Sequence, residues 1–215
     1  LFNDPSDDYT AKKKLYCKLN LKKGVLPVEK YPFQLKEEVI FKKGIRCCSG
    51  RIREGKLLYY LPRQMKRELV EKVLAEIRQN LILRLKDAYR YYNYFRKCQS
   101  HIHKSYELKK MAEEIYTRKY STLDFSLTIK FRRQKTVMGT YRRKKDGKVV
   151  IYINDHFKNA PEFLLEYVIA HELSHHHFSG HDQAFYRELS QLCPDHKKKR
   201  KLANQYLLLK EAEIF

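Results

Sequence analysis

The 215 residues contain no glycine-rich phosphate cradle, no CxxC pair and no long apolar run. The longest apolar stretches, such as FLLEYVIA at 163–170, fall far short of the roughly 20 residues that a bilayer span requires. A membrane protein of the helical kind is therefore not expected. The N-terminus turns charged at Asp4 without an apolar stretch, so no secretory leader is expected either. Five cysteines (Cys17, Cys47, Cys48, Cys98, Cys193) are an odd number without paired spacing. That excludes a zinc ribbon and points to reduced thiols in a cytoplasmic protein. Internal repeats and Gly/Ser linkers are absent as well.

What is abundant is positive charge. Lysine and arginine number 46 against 25 acidic residues, a formal net charge of +21. Such an excess suits an anionic partner, most simply nucleic acid or a nucleotide, or else a solvated lysine-rich surface. With 43% hydrophobic residues the chain is rich enough in apolar side chains for a folded core.

Residues 1–37 are polar and basic, with little period. EEVIF (37–41) and KLLYYL (56–61) read as short strands, and IRCCSGRIREGKLLYYLP as a small hairpin with Gly55 in its turn. Pro62 suits a helix start. A helix follows over about 63–97. Leu69, Val73, Ile77, Leu81 and Leu85 form its apolar stripe, widened by Val70 and Leu74, with Lys66, Arg67, Lys72 and Arg78 opposite. Its tyrosine-rich tail, YRYYNYF, can stack on bases or pack internally. A second helix is expected over 105–119, with Ser105 as its cap. Alternation of Leu123, Phe125, Leu127, Ile129 and Phe131 then predicts a strand. Asp146-Gly147 predicts a hairpin with positive φ at both turn residues. Residues 123–154 thus read as a three-stranded antiparallel sheet.

From Pro161 the apolar positions (Phe163, Leu164, Leu165, Tyr167, Val168, Ile169, Ala170, Leu173) cover almost the whole helix circumference, as in a buried helix. Gly180 reads as its stop signal. Further helices are expected at 182–192 and 196–212. The expectation is an α+β protein: residues 1–62 a basic segment with a β-hairpin, 63–119 a helical connector, and 120–215 a further domain, its small antiparallel sheet packed on helices.

The buried helix carries His171-Glu172-Leu173-Ser174-His175, an HExxH. His171 and His175 lie about 40° apart around a helix, one turn along it. Glu172 falls beside the same arc and can act without ligating. Two nitrogen ligands, an open coordination position and an adjacent base are what a zinc hydrolase requires. Catalytic zinc sites hold three protein ligands, and His181 follows just beyond Gly180, which can reverse the chain. His176 and His177 project about 140° and 240° from His171, so they read as polar neighbours. His101 and His103 could chelate an ion across a loop; nothing in the sequence supports this, and they read as surface residues, as do His156 and His196. Asp182 suits either orientation of His181 or the cap of the next helix.

Together HELSH-HHFSG-H-DQAF, the preceding IND (153–155), AP (160–161) and EYVIA, and CPDHKKKRKL (193–202) resemble the YgjP-like metal-dependent hydrolase family, relatives of the SprT/Spartan and WLM metallopeptidases. The hairpin RIREGKLLYYLP also resembles that family's opening strands. One element departs. Where the family carries a Trp-Gly-Ser-Cys-like sequence, this chain has KTVMGTYRR, with Met138, Thr140 and Tyr141 around a retained Gly139 and no tryptophan. The resemblance implies a zincin-like metallohydrolase domain over 120–215, with His171, His175 and His181 as ligands of Zn2+ and Glu172 as general base.

Three functions are compatible. A zinc peptidase would use Glu172 as base and acid, with Tyr141 as a further donor to the oxyanion and a sheet edge to hold the peptide. A nucleoside triphosphate pyrophosphohydrolase would place phosphates on Arg132, Arg133, Arg142, Arg143, Lys144 and Lys145. A nucleic-acid-associated protein or DNA-coupled protease would show salt-sensitive binding. Divalent ions other than zinc fit the same donors.

Overall fold

The computed structural model describes residues 34–215; the basic segment before them, with Cys17, lies outside the described residues. Residues 35–215 pack as one compact unit. It is an α+β fold of two three-stranded sheets and six helices among the described residues.

The first sheet contains β1 (Lys36–Lys42), β2 (Ser49–Arg53) and β3 (Lys56–Pro62) in the order β1-β3-β2. Leu57, Tyr59 and Leu61 alternate into the core, the period-two pattern of a strand with one buried face. β2 and β3 form the expected hairpin. Glu54 and Gly55 both take positive φ (50° and 66°), the requirement of a tight two-residue turn. Gly55 N donates to Glu211 O at 2.9 Å, which fastens the hairpin tip to the last helix.

Helix α1 (Arg67–Tyr89) covers this sheet. It starts four residues later than Pro62 suggests, because Pro62 is the last residue of β3 and a turn from Pro62 to Met65 intervenes. The buried stripe is Val70, Leu74, Leu81, Leu85 and Ala88, while Leu69 faces solvent. Arg78 is not on a free basic face; it bonds Glu37 at 2.5 Å. The chain breaks at Arg90–Tyr91 and resumes as α2 (Tyr92–Lys97). The tyrosine-rich tail packs internally: Phe95 is edge-on to Tyr206 and Tyr92 edge-on to Phe215, with centroids 5.3 and 5.7 Å apart. α3 (Ser105–Tyr116) is capped one residue earlier than expected, since Glu107 Oε2 accepts from Lys104 N at 2.7 Å.

The second sheet comprises β4 (Leu127–Arg132), β5 (Gly139–Arg143) and β6 (Val149–Asn154), in the order β4-β6-β5. It is mixed, not wholly antiparallel: β4 runs parallel to β6 and β5 antiparallel. β6 has both faces covered, with five of its six residues buried, which suits a central strand. Only Gly147 has positive φ in the β5–β6 turn. Lys144 N bonds Lys148 O at 2.8 Å, so the loop is a three-residue hairpin in which the glycine alone needs the left-handed region. The strand expected from Leu123 starts only at Leu127.

Three helices complete the unit: α4 (Glu162–Ser174), α5 (Gln183–Leu192) and α6 (His196–Glu211). α4 is buried almost all round and packs against α3, α5, α6 and β5. No described helix is long and apolar enough to cross a membrane. Cys47, Cys48, Cys98 and Cys193 are free thiols. His196, expected at the surface, is buried at 6% exposure against the ring of Tyr186.

Candidate metal centre and active site

α4 ends at Ser174, earlier than Gly180 suggests, and Gly180 does not adopt the left-handed conformation of a glycine cap. The Ser174 hydroxyl instead turns back to donate to Ala170 O at 2.9 Å, a bond that competes with helix propagation. His175 is the C-cap residue. Turns then carry the chain to Asp182, whose carboxylate accepts Phe185 N at 2.9 Å and caps α5. Of the two roles read for Asp182, the capping role is the one observed. This early reversal returns His181 to the helix end.

His171, His175 and His181 offer ligating nitrogens all within 4.8 Å of one another. His171 Nε2 and His181 Nε2 are 3.1 Å apart, close to the edge of a tetrahedron built on metal–nitrogen bonds of about 2.1 Å. His175 Nδ1 is 2.9 Å from Phe178 O. A carbonyl only accepts, so Nδ1 carries the hydrogen and Nε2 keeps its lone pair, the orientation that ligand histidines take from a second partner. His171 Nδ1 is buried without a hydrogen-bond partner among the described residues; packing sets its ring. Phe185, fully buried, touches all three imidazoles, with centroids 4.6–5.0 Å away. Burial, reinforced by His175 and His181, pulls His171 down to about 3. Burial and His175 lower His181 too. Three imidazoles with converging ring nitrogens are the donor set for zinc and similar borderline ions.

Glu172 is only 4% exposed. Its carboxylate lies under β5, where it accepts the Tyr141 N–H. A Cβ at Gly139 would sit 2.6 Å from Glu172 Oε1 and 2.8 Å from its Cγ. The absent side chain at 139 therefore creates the slot that Glu172 occupies, which explains the glycine in KTVMGTYRR. Burial pushes Glu172 up to about 8, against the lowering effect of the Tyr141 amide.

The Tyr141 hydroxyl is 2.9 Å from His176 Nδ1, and burial raises its pKa. His176 in turn stacks on Phe125 at 4.0 Å between centroids. His177 is exposed, its Nε2 3.4 Å from the Tyr116 hydroxyl. As the helical angles predict, neither histidine belongs to the three-imidazole cluster.

A cleft of about 920 Å³ joins these groups. Its walls include Gly139, Thr140 and Tyr141 of β5, His171, Glu172, His175 and His181, and Tyr167, Tyr186, Arg200 and Asn204 opposite. Sequence reasoning missed this last group. Tyr167 lies one helical turn before His171, a spacing that could have found it; Arg200 and Asn204 come from α6 and carry no local signal. Arg132, Arg133, Arg142, Arg143, Lys144 and Lys145 are not on the walls. Arg132 and Arg142 lie over the Tyr152 ring instead, and Arg133 pairs with Glu54 at 2.7 Å.

Imidazoles converging at a helix end, beside a buried carboxylate and an open strand edge, define a metal-dependent hydrolase of the peptidase type. The family model for the YgjP-like metallopeptidase domain matches residues 49–206, and the chain belongs to that family. Among solved structures it is similar to the metallopeptidase zymogen abylysin of Pyrococcus abyssi. That similarity has 19% identity over 46% of this chain and 91% of that one, with a TM-score of 0.38. No curated protein matches the chain.

Proposed function

We propose that the protein is a zinc peptidase in which His171, His175 and His181 hold the ion and Glu172 is the general base. The observation that carries this reading is the burial of Glu172 beneath Gly139, on the wall of the cleft that the three imidazoles also line. Zinc bound there supplies Lewis acidity, polarising a carbonyl oxygen and acidifying water.

The chain's own residues do the rest. β5 offers the substrate an edge: among the described residues it pairs only with β6. Met138 O accepts from Asn154 N at 2.8 Å, so even-numbered positions face β6. Gly139 and Tyr141, one position out of phase, direct main-chain groups toward the cleft; Glu172 takes the Tyr141 N–H, which leaves the Tyr141 carbonyl and the Gly139 groups for a substrate strand. An extended peptide laid there places its scissile carbonyl over the imidazole cluster. Glu172 takes a proton from the attacking water as the new C–O bond forms. It then delivers that proton to the departing amine nitrogen as the C–N bond breaks. A carboxyl raised toward neutrality suits both transfers. The Tyr141 hydroxyl, protonated and on the cleft wall, is a donor to the oxygen that gains charge.

The nucleotide reading depends on a cationic cradle, and its six basic residues lie off the cleft; Arg200 is the cationic side chain that lines it. The test is peptide and casein cleavage beside phosphate release from nucleoside triphosphates, in wild type and Glu172→Gln, with metal content measured in both. We expect metal retained and peptide cleavage reduced about 10²- to 10⁴-fold. Equal cleavage by both proteins removes Glu172 as base, and phosphate release in place of cleavage overturns the peptidase reading.

A further inference from the structure

We propose a second divalent-metal site, distinct from the cleft, formed by His101, His103 and Glu107 where the α2–α3 loop meets α3. Their ligating atoms all lie within 4.8 Å of one another. His101 Nε2 is 3.1 Å from both carboxylate oxygens of Glu107, and His103 Nδ1 is 4.0 Å from Glu107 Oε2.

His103 is the decisive residue. It is buried at 4% exposure, not on the surface as its sequence context suggests. Its Nε2 lies 3.2 Å from Ala160 O. The carbonyl can only accept, so Nε2 holds a hydrogen, and in the neutral ring it is Nδ1 that turns a lone pair toward Glu107. The Glu107 carboxylate already accepts the Lys104 amide through Oε2 at 2.7 Å, so this partner too is an acceptor. Two acceptors face each other across 4.0 Å, about twice a metal–ligand bond. A cation belongs between them. The Nε2–H···O=C bond is also how ligand imidazoles are commonly fixed. Two imidazoles and one carboxylate favour zinc, nickel or copper over magnesium or calcium. The positive end of α3 opposes a cation here, which makes this the weaker of the two sites.

Its position suggests its purpose. His103 N donates to Lys158 O at 2.9 Å, and its ring holds Ala160. Pro161 and α4 follow directly. An ion on His101, His103 and Glu107 clamps the turn that launches the helix carrying His171 and His175. The chemistry is structural, with a proton on His103 as the rival occupant of the same gap.

The experiment is zinc binding to the full chain by equilibrium dialysis with elemental analysis. The variants are His101→Ala, Glu107→Gln, and the triple replacement of His171, His175 and His181 by alanine. His101 is 62% exposed as a side chain, so its loss leaves the fold intact, which circular dichroism checks. We expect two zinc ions per wild-type chain, one in His101→Ala, and one in the triple variant. Glu107→Gln should weaken the lower-affinity class more than tenfold. Zinc content unchanged in both His101→Ala and Glu107→Gln overturns the proposal and leaves the proton as occupant. One ion in wild type that is lost in His101→Ala upholds this site and removes the cleft as the stronger one.

Discussion

The two sheets have the same strand order, yet only the second borders the cleft that the three imidazoles line. In each, a first strand runs parallel to the third, and the second is the outer strand of a hairpin. In each, that outer strand holds a glycine against a helix. At Gly50 a Cβ would lie 2.2 Å from Ile77 Cγ2 and 2.8 Å from Leu81 Cδ1; at Gly139 it would lie 2.6 Å from Glu172 Oε1. The first notch is filled with hydrocarbon and the second with a carboxylate. The difference teaches that a close strand–helix approach is not itself functional here. On the proposed peptidase reading, what matters is the group that occupies the notch and the imidazoles that share the second helix.

The sharpest way to break this comparison is Gly139→Ala. Its methyl group displaces Glu172, and misplacing a catalytic group by about 1 Å can cost 10²-fold in rate. We expect peptide cleavage to fall about that much, and Gly139→Ala to add little once Glu172→Gln is present, as a double-mutant cycle would read. Tyr141→Phe should lower kcat roughly tenfold with KM nearly unchanged, less than for a dedicated oxyanion donor because the hydroxyl also bonds His176. In the first sheet, Gly50→Ala should cost about 1–3 kcal/mol of stability by overpacking. Denaturant titration checks this, and activity per folded molecule should be unaltered.

The smallest effect concerns Glu166 on α4, which bonds Lys199 and Arg118. Burial pushes this carboxyl up, but those two bonds outweigh it and leave it below the usual range. A depressed carboxylate stabilises the fold above its unfolded value, and that contribution disappears as pH falls through the folded one. Glu166→Gln should therefore be less stable than wild type at neutral pH, with the gap closing in acid; urea midpoints at several pH values measure it.

Much of this was legible locally. Glu54-Gly55 marked a hairpin, the apolar circumference of 163–173 marked a buried helix, and HExxH with His181 marked converging imidazoles. Parallel pairing was not legible, because a strand's alternation looks the same whichever distant partner it joins. Leu69 fits the helical stripe of α1 but faces solvent, since the neighbouring elements cover only the arc centred on Leu74 and Leu81. His103 gave no sign of burial because its cover, the turn at 158–160, lies more than fifty residues away. Gly139 was visible as a retained residue, but its reason lies in the carboxylate beneath it.

An edge able to accept a substrate strand can equally accept the edge of another copy. Natural sheets discourage such self-pairing by crowding an open border with like charges. β5 runs directly into Arg142, Arg143, Lys144 and Lys145, all exposed. This cationic stretch reads in the sequence as part of a phosphate cradle; at the end of an edge strand its physical consequence is that two copies approaching border to border bring like charges together.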